Sequence, residues 1–152
     1  MMGNLAKIRV ALLLGVVPTT LVAAPTPKEQ LLVAPANARH FTISSSAGKH
    51  GDIWAWTMPD GRSAYRMSMS LRGWITETDE TILTGPDGTP KEIVIRGFTD
   101  SGDAGETYSV DAAGVGRWKT SVDEGSAPVA GKRYSSYEIG RASCRERVCS
   151  TV

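Results

Sequence analysis

From Arg39 onward the apolar positions recur with a period of two, the mark of strands whose successive side chains face opposite sides of a sheet. Phe41 and Ile43 alternate with Thr42 and Ser44. Ile53 and Ala55 fall on one side of the next run, with Trp54 and Trp56 on the other. The clearest strand places Tyr65, Met67, Met69 and Leu71 on an apolar face and Arg66, Ser68, Ser70 and Arg72 on a wet one. A helix would scatter those residues around its circumference. Trp74 to Thr84 predicts a further strand, edge-like because it carries Glu77, Asp79 and Glu80. Ile93, Val94, Ile95 and Phe98 predict another, from which Arg96 reaches solvent. Glu106 to Asp111 and Val115 to Val122 predict a hairpin closed around Ala112-Ala113-Gly114.

The punctuation agrees with this pattern. Met58-Pro59-Asp60-Gly61 and Gly85-Pro86-Asp87-Gly88 are turns of nearly the same chemistry, in which proline presets φ and glycine supplies a positive φ. Asp100 to Gly105 is a polar turn, and Gly48 to Gly51 reads as a hairpin tip. Short strands joined by short turns predict an all-β fold, an antiparallel β-meander forming an open curved sheet, a sandwich or a partial barrel. A signal helix precedes it. Lys7 and Arg9 stand before the apolar run Val10 to Val17, and small residues follow as far as Ala24. That arrangement describes a secretory leader, too short and interrupted for a span of about 20 residues. Cleavage is expected near Ala23 or Ala24, although Pro25 sits badly beside that bond. Ala36-Asn37-Ala38 is the better motif but lies far from the apolar run. The chain thus divides into a signal peptide at 1–24, an irregular linker at 25–38, a β domain at 39–137 that can be incomplete, and a tail at 138–152.

The tail alters how composition is read. Glu138 to Val148 back-translates codon by codon, in one frame, into a widely used short-read sequencing adaptor. Residues 138–152 are therefore expected to be translated adaptor, and a natural basic arm is the alternative. Both cysteines, Cys144 and Cys149, fall in it, so a disulfide or thiolate metal site is not expected in the domain. Without the tail, Lys plus Arg falls from 17 to 14 and Asp plus Glu from 16 to 14. The formal charge becomes zero, which removes the electrostatic case for nucleic acid or an anionic membrane.

Little chemistry is visible in the rest. His40 and His50 belong to no metal-binding spacing, and His50 reads as a solvated turn residue. Serines 44 to 46 lack the G-x-S-x-G elbow. Asp100, Asp103 and Glu106 sit among glycines but not in a calcium-loop register, and read as turn formers. No catalytic, cofactor-binding or metal-ligating residue is assigned. The candidate docking or apolar-ligand face comprises Trp54, Trp56, Met67, Met69, Trp74 and Trp118. It reads as core or docking surface before it reads as a ligand cavity.

The block Phe41-Thr42-Ile43-Ser44-Ser45-Ser46-Ala47-Gly48-Lys49-His50-Gly51 resembles the opening of exported bacterial amidohydrolase-family proteins. Ile93 to Asp100, Glu106-Thr107-Tyr108 and Gly116-Arg117-Trp118 look like later strands of the same small β domain. Gly125-Ser126-Ala127, leading to Lys132-Arg133-Tyr134, looks like its approach to the rest of the chain. In that family a leader and a β domain precede a metal-dependent (β/α)₈ barrel. The resemblance implies a periplasmic or secreted accessory domain, truncated and not catalytic by itself. Its partner would be the barrel of the intact protein, with the divalent metal held there. No nucleic acid and no membrane span after leader cleavage are implied. The rival expectation is an exported β-sheet module that binds an apolar ligand.

Overall fold

A computed structural model describes residues 24–129 of the 152. The leader through residue 23, residues 130–137 and the tail with Cys144 and Cys149 lie outside the described residues. After one 3₁₀ turn, Lys28–Gln30, come nine strands: β1 Arg39–Ser45, β2 Gly48–Thr57, β3 Ser63–Leu71, β4 Trp74–Thr84, β5 Pro90–Thr99, β6 Gly102–Asp103, β7 Glu106–Val110, β8 Val115–Lys119 and β9 Glu124–Pro128. They form one open antiparallel sheet in the order β1-β2-β3-β4-β5-β7-β8-β9, with β6 beside β5. The predicted meander is therefore an open sheet among the described residues, rather than a closed barrel.

Three hairpins share one design. The N–H of Gly61, Gly88 and Gly114 donates to the carbonyl of Met58, Gly85 and Asp111, and each glycine has a positive φ. A type I turn followed by a left-handed residue is a standard short hairpin closure. The β3–β4 connection differs, with positive φ at both Arg72 (54°) and Gly73 (87°). Two left-handed residues make the tight twist-compatible two-residue turn, and glycine supplies the second without strain.

Residues opposite one another in adjacent strands project to the same face. One row across the sheet reads His40, Trp54, Arg66, Asp79, Arg96. The next row reads Ala55, Tyr65, Glu80, Ile95, Glu106 on the other face. The core of this second, apolar face is Ile93 and Ile95, each 1% exposed, with Ala55. The first face is covered at its centre by the segment following the 3₁₀ turn, which inserts the buried side chain of Leu31.

Five expectations change. The hairpin tip expected at Gly48 to Gly51 falls instead at Ser46-Ala47, and Gly48 opens β2, paired with Ser45. The strand predicted to be an edge, β4, is central, because Glu77 and Asp79 find cationic partners on neighbouring strands and need no solvent. The face of β3 predicted to be wet buries Arg66 for the same reason. Residues 25–38 hold the 3₁₀ turn and a second turn closed by the Ala38 N–H on the Pro35 carbonyl, and they pack on the sheet as a strap over Glu77 and Asp79 instead of leading away from it. The strand expected to run to Val122 ends at Lys119. Thr120 to Asp123 turn the chain into β9, a strand that the weakly patterned Glu124-Gly125-Ser126-Ala127-Pro128 did not announce.

Candidate functional site

The six residues of the expected aromatic and methionine surface do not come together. Trp54 and Trp56 project from the first face, while Met67, Met69, Trp74 and Trp118 belong to the apolar face. Alternation along β2 and β3 requires this, since Trp54 is registered opposite Arg66 and Met67 opposite Ile53. Trp118 stands apart in β8, its indole over Gly125 and its Nε1 donating to Asp123 Oδ2 at 3.1 Å.

On the apolar face, one end of the sheet remains open. Phe41, Ile53 and Met67 form one cross-strand row, and Ile43 and Met69 lie in the next. Leu71 and Trp74 close the patch at the β3–β4 turn. None of these is fully buried, and Phe41 and Trp74 are 50% and 62% exposed. Arg39 lies over the Phe41 ring, 5.9 Å from its centroid. A cation above an aromatic face of this kind contributes on the order of 0.5–1 kcal/mol at exposed sites.

The first face carries the polar chemistry that sequence reading missed. Arg66 pairs with Glu77 through Nη2 and donates through Nη1 to the carbonyls of Met67 and Thr78. Ser68 and Lys28 also donate to Glu77, at 2.8 and 2.5 Å. Arg96 grips Asp79 in a two-pronged pair, with Nε at 3.0 Å and Nη2 at 2.5 Å. The Leu32 N–H adds a 2.6 Å bond to Asp79 Oδ2. Burial pushes the Glu77 carboxyl up, but the bonds from Lys28, Arg66 and Ser68 outweigh it and hold Glu77 below its ordinary range. The Asp79 carboxylate raises Arg96. The alternating charges at facing positions of β3, β4 and β5 were the available signal, legible only once the register is known.

Between the covering segment and the sheet lies an open cleft of about 480 Å³, walled by Leu31, Leu32, Val33 and Trp54, with Arg66 and Ser68 at its floor. Trp54 is held there by stacking on His40, with centroids 5.2 Å apart and planes 12° from parallel. His40 is fixed by Asp52 at 2.6 Å, and Lys49 meets the same carboxylate oxygen at 2.8 Å.

The remaining candidates behave as local structure. His50 Nε2 lies 2.6 Å from Ser45 Oγ, which also accepts the Ala47 N–H, a contact that closes the β1–β2 turn. Asp100 caps the Ile75 N–H and Asp103 the Gly105 N–H. Glu106 points away from them onto the apolar face, where burial and the nearby Glu106 carboxylate push Glu80 up to about 7. Among the described residues no group of three His, Cys, Asp or Glu side chains could hold a metal ion. No described helix is long and apolar enough to cross a membrane. No protein-family model, curated protein or solved structure matches the chain.

Proposed function

We propose that this chain carries the amino-terminal accessory β domain of an exported, metal-dependent amidohydrolase, with no catalytic role of its own. The observation that carries the reading is the open end of the apolar face, from Phe41 and Ile53 to Trp74, on an otherwise ordered sheet. A contiguous apolar surface with a polar surround is what a domain presents to a partner domain. The resemblance of Phe41 to Gly51 and Ile93 to Asp100 to the β domain of exported amidohydrolases supplies the partner, a catalytic barrel. The metal and its histidine ligands belong to that barrel, so none of the residues described above is assigned to chemistry.

The test is the genomic sequence through Tyr137, from a library prepared with a different adaptor. A frame that continues into an H-x-H at a strand end supports the reading. A natural stop soon after Tyr137, or the same codons for Glu138 to Val148, sinks it.

The cleft beside Trp54 favours one second reading, a module that holds a small apolar molecule between the covering segment and the sheet. Titration with a hydrophobic dye while tryptophan emission is followed separates the two. A saturable change lost in Trp54→Ala supports the module, and a linear response removes it.

A further inference from the structure

The cleft between the strap and the sheet has apolar walls and a floor rich in hydrogen-bond donors. Leu32, Val33 and Trp54 supply the walls, while Lys28, Arg66 and Ser68 bring polar atoms to it. Arg66 is the unusual member, a guanidinium whose side chain is only 10% exposed. Such a group carries five N–H donors. Nη1 donates to the carbonyls of Met67 and Thr78, and Nη2 spends one hydrogen on Glu77. Nε and the second hydrogen of Nη2 take no partner among the described residues. Yet no buried side-chain nitrogen or oxygen of these residues lacks a partner. Nε is therefore not sealed in, and it opens on the cleft that Arg66 lines. Lys28 adds a second cation with hydrogens to spare, since its half-exposed ammonium donates to Glu77 Oε1 alone. Two cations thus share one carboxylate, whose Oε1 also takes the Ser68 hydroxyl. Glu29 lines the cleft too, but it is exposed, and water screens its charge far more than that of Arg66.

We propose that this cleft takes an amphipathic carboxylate, with its apolar chain against Leu32, Val33 and Trp54 and its carboxylate on Arg66 and Lys28. The proposal rests on the reading of the cleft as a ligand site, and it gives that ligand a head group. Unspent donors beneath apolar walls call for an acceptor carried on an apolar body. An ionised acceptor makes shorter and stronger bonds with a guanidinium or an ammonium than a neutral one does. Glu77 is not displaced: it keeps its bonds from Nη2, Lys28 and Ser68, and the ligand takes Nε and the hydrogens that Nη2 and Lys28 leave over. A cleft of about 480 Å³ is of the size that small-molecule sites have.

Octanoate and octanol carry the same chain under different heads. Each is titrated into the full chain at neutral pH, below its aggregation concentration, while tryptophan emission is followed. Octanoate should saturate and bind roughly tenfold more tightly than octanol. Arg66→Lys keeps a charge beside Glu77 but loses Nε, so most of that preference should vanish while octanol binding stays the same. Lys28→Gln should reduce the preference about threefold. Thermal unfolding shows whether each variant is folded, and Lys28→Gln, at a half-exposed side chain, carries the test if Arg66→Lys is not. Equal affinity for the two probes overturns the head-group assignment and leaves the ligand site standing. No saturation with either removes the ligand site, and the proposal with it. An octanoate signal that persists in Trp54→Ala, or a preference untouched by both cation variants, places the carboxylate elsewhere and overturns the proposal as well.

Discussion

Glu77 and Glu80 lie three residues apart in β4, on opposite faces, and respond to pH in opposite senses. Glu77 is held below its ordinary 4.5, so the stability it contributes is fully present above that pH and is lost as pH falls below it. Glu80 is displaced upward, from 4.5 to about 7. The native state then holds a proton that the unfolded chain has already released, so stability falls as pH rises from 4.5 toward 7. At about 1.4 kcal/mol per pH unit the effect is on the order of 3 kcal/mol. Glu80→Gln should therefore raise the urea midpoint at pH 8 and leave it unchanged at pH 4. A gain of equal size at both values would mean that burial of the charge is not the cause. Arg66→Met should cost roughly 3 kcal/mol, because it leaves the buried Glu77 with Lys28 and Ser68 but without its guanidinium partner, and Arg66→Met with Glu77→Leu should recover most of it. Denaturation of the two single variants and the double one measures that recovery.

At the scale of elements, the hairpins follow from local chemistry and the strand partners do not. Pro59-Asp60-Gly61 and Pro86-Asp87-Gly88 set their turns with residues in contact along the chain, and the glycines occupy the positive-φ positions that such turns require. Gly97 has a different purpose. Its φ is +130°, and a Cβ there would come within 2.0 Å of the Glu77 carbonyl. It also stands where β5 changes partner, from β7 at Glu92 to Ile95 to β6 at Phe98 and Thr99. Gly97→Ala should destabilise by more than about 2 kcal/mol, because strain and a backbone clash coincide. Gly61→Ala, with open space around the Cβ, should cost only about 1 kcal/mol. Thermal unfolding of the pair gives the comparison, and equal losses would show that the close approach to β4 is unimportant. The same limit explains β4 itself. Its three carboxylates read as a solvent-facing edge until Arg66, Arg96 and Lys28, from three distant parts of the chain, are seen around two of them.

For the whole molecule, the sheet is unequally covered. The strap closes the middle of one face, Ile93 and Ile95 anchor the other, and the end bearing Phe41, Met69 and Trp74 stays accessible. Replacing Phe41 and Trp74 together by Ser and Gln should cost no more than about 1 kcal/mol, the size of the lost Arg39 contact, since both side chains are at least half exposed. Self-association and binding of a hydrophobic dye should both decrease, as sedimentation and fluorescence would record. A large loss of stability would place these side chains in the core and remove the docking surface on which the functional proposal stands.

The sequence by itself determined the all-β class, the antiparallel order of neighbours through β5 and the design of the turns. Those depend on period-two alternation and on residues adjacent in the chain. Tertiary structure decided what alternation cannot contain: which face each strand gives to which partner, and what lies on top. It split the tryptophans from the methionines and placed β4 at the centre. It also turned a proline-punctuated linker into a strap, because one backbone N–H and one lysine meet carboxylates more than forty residues away. Long-range pairing of buried charge depends on register and distance, and neither is written in local pattern.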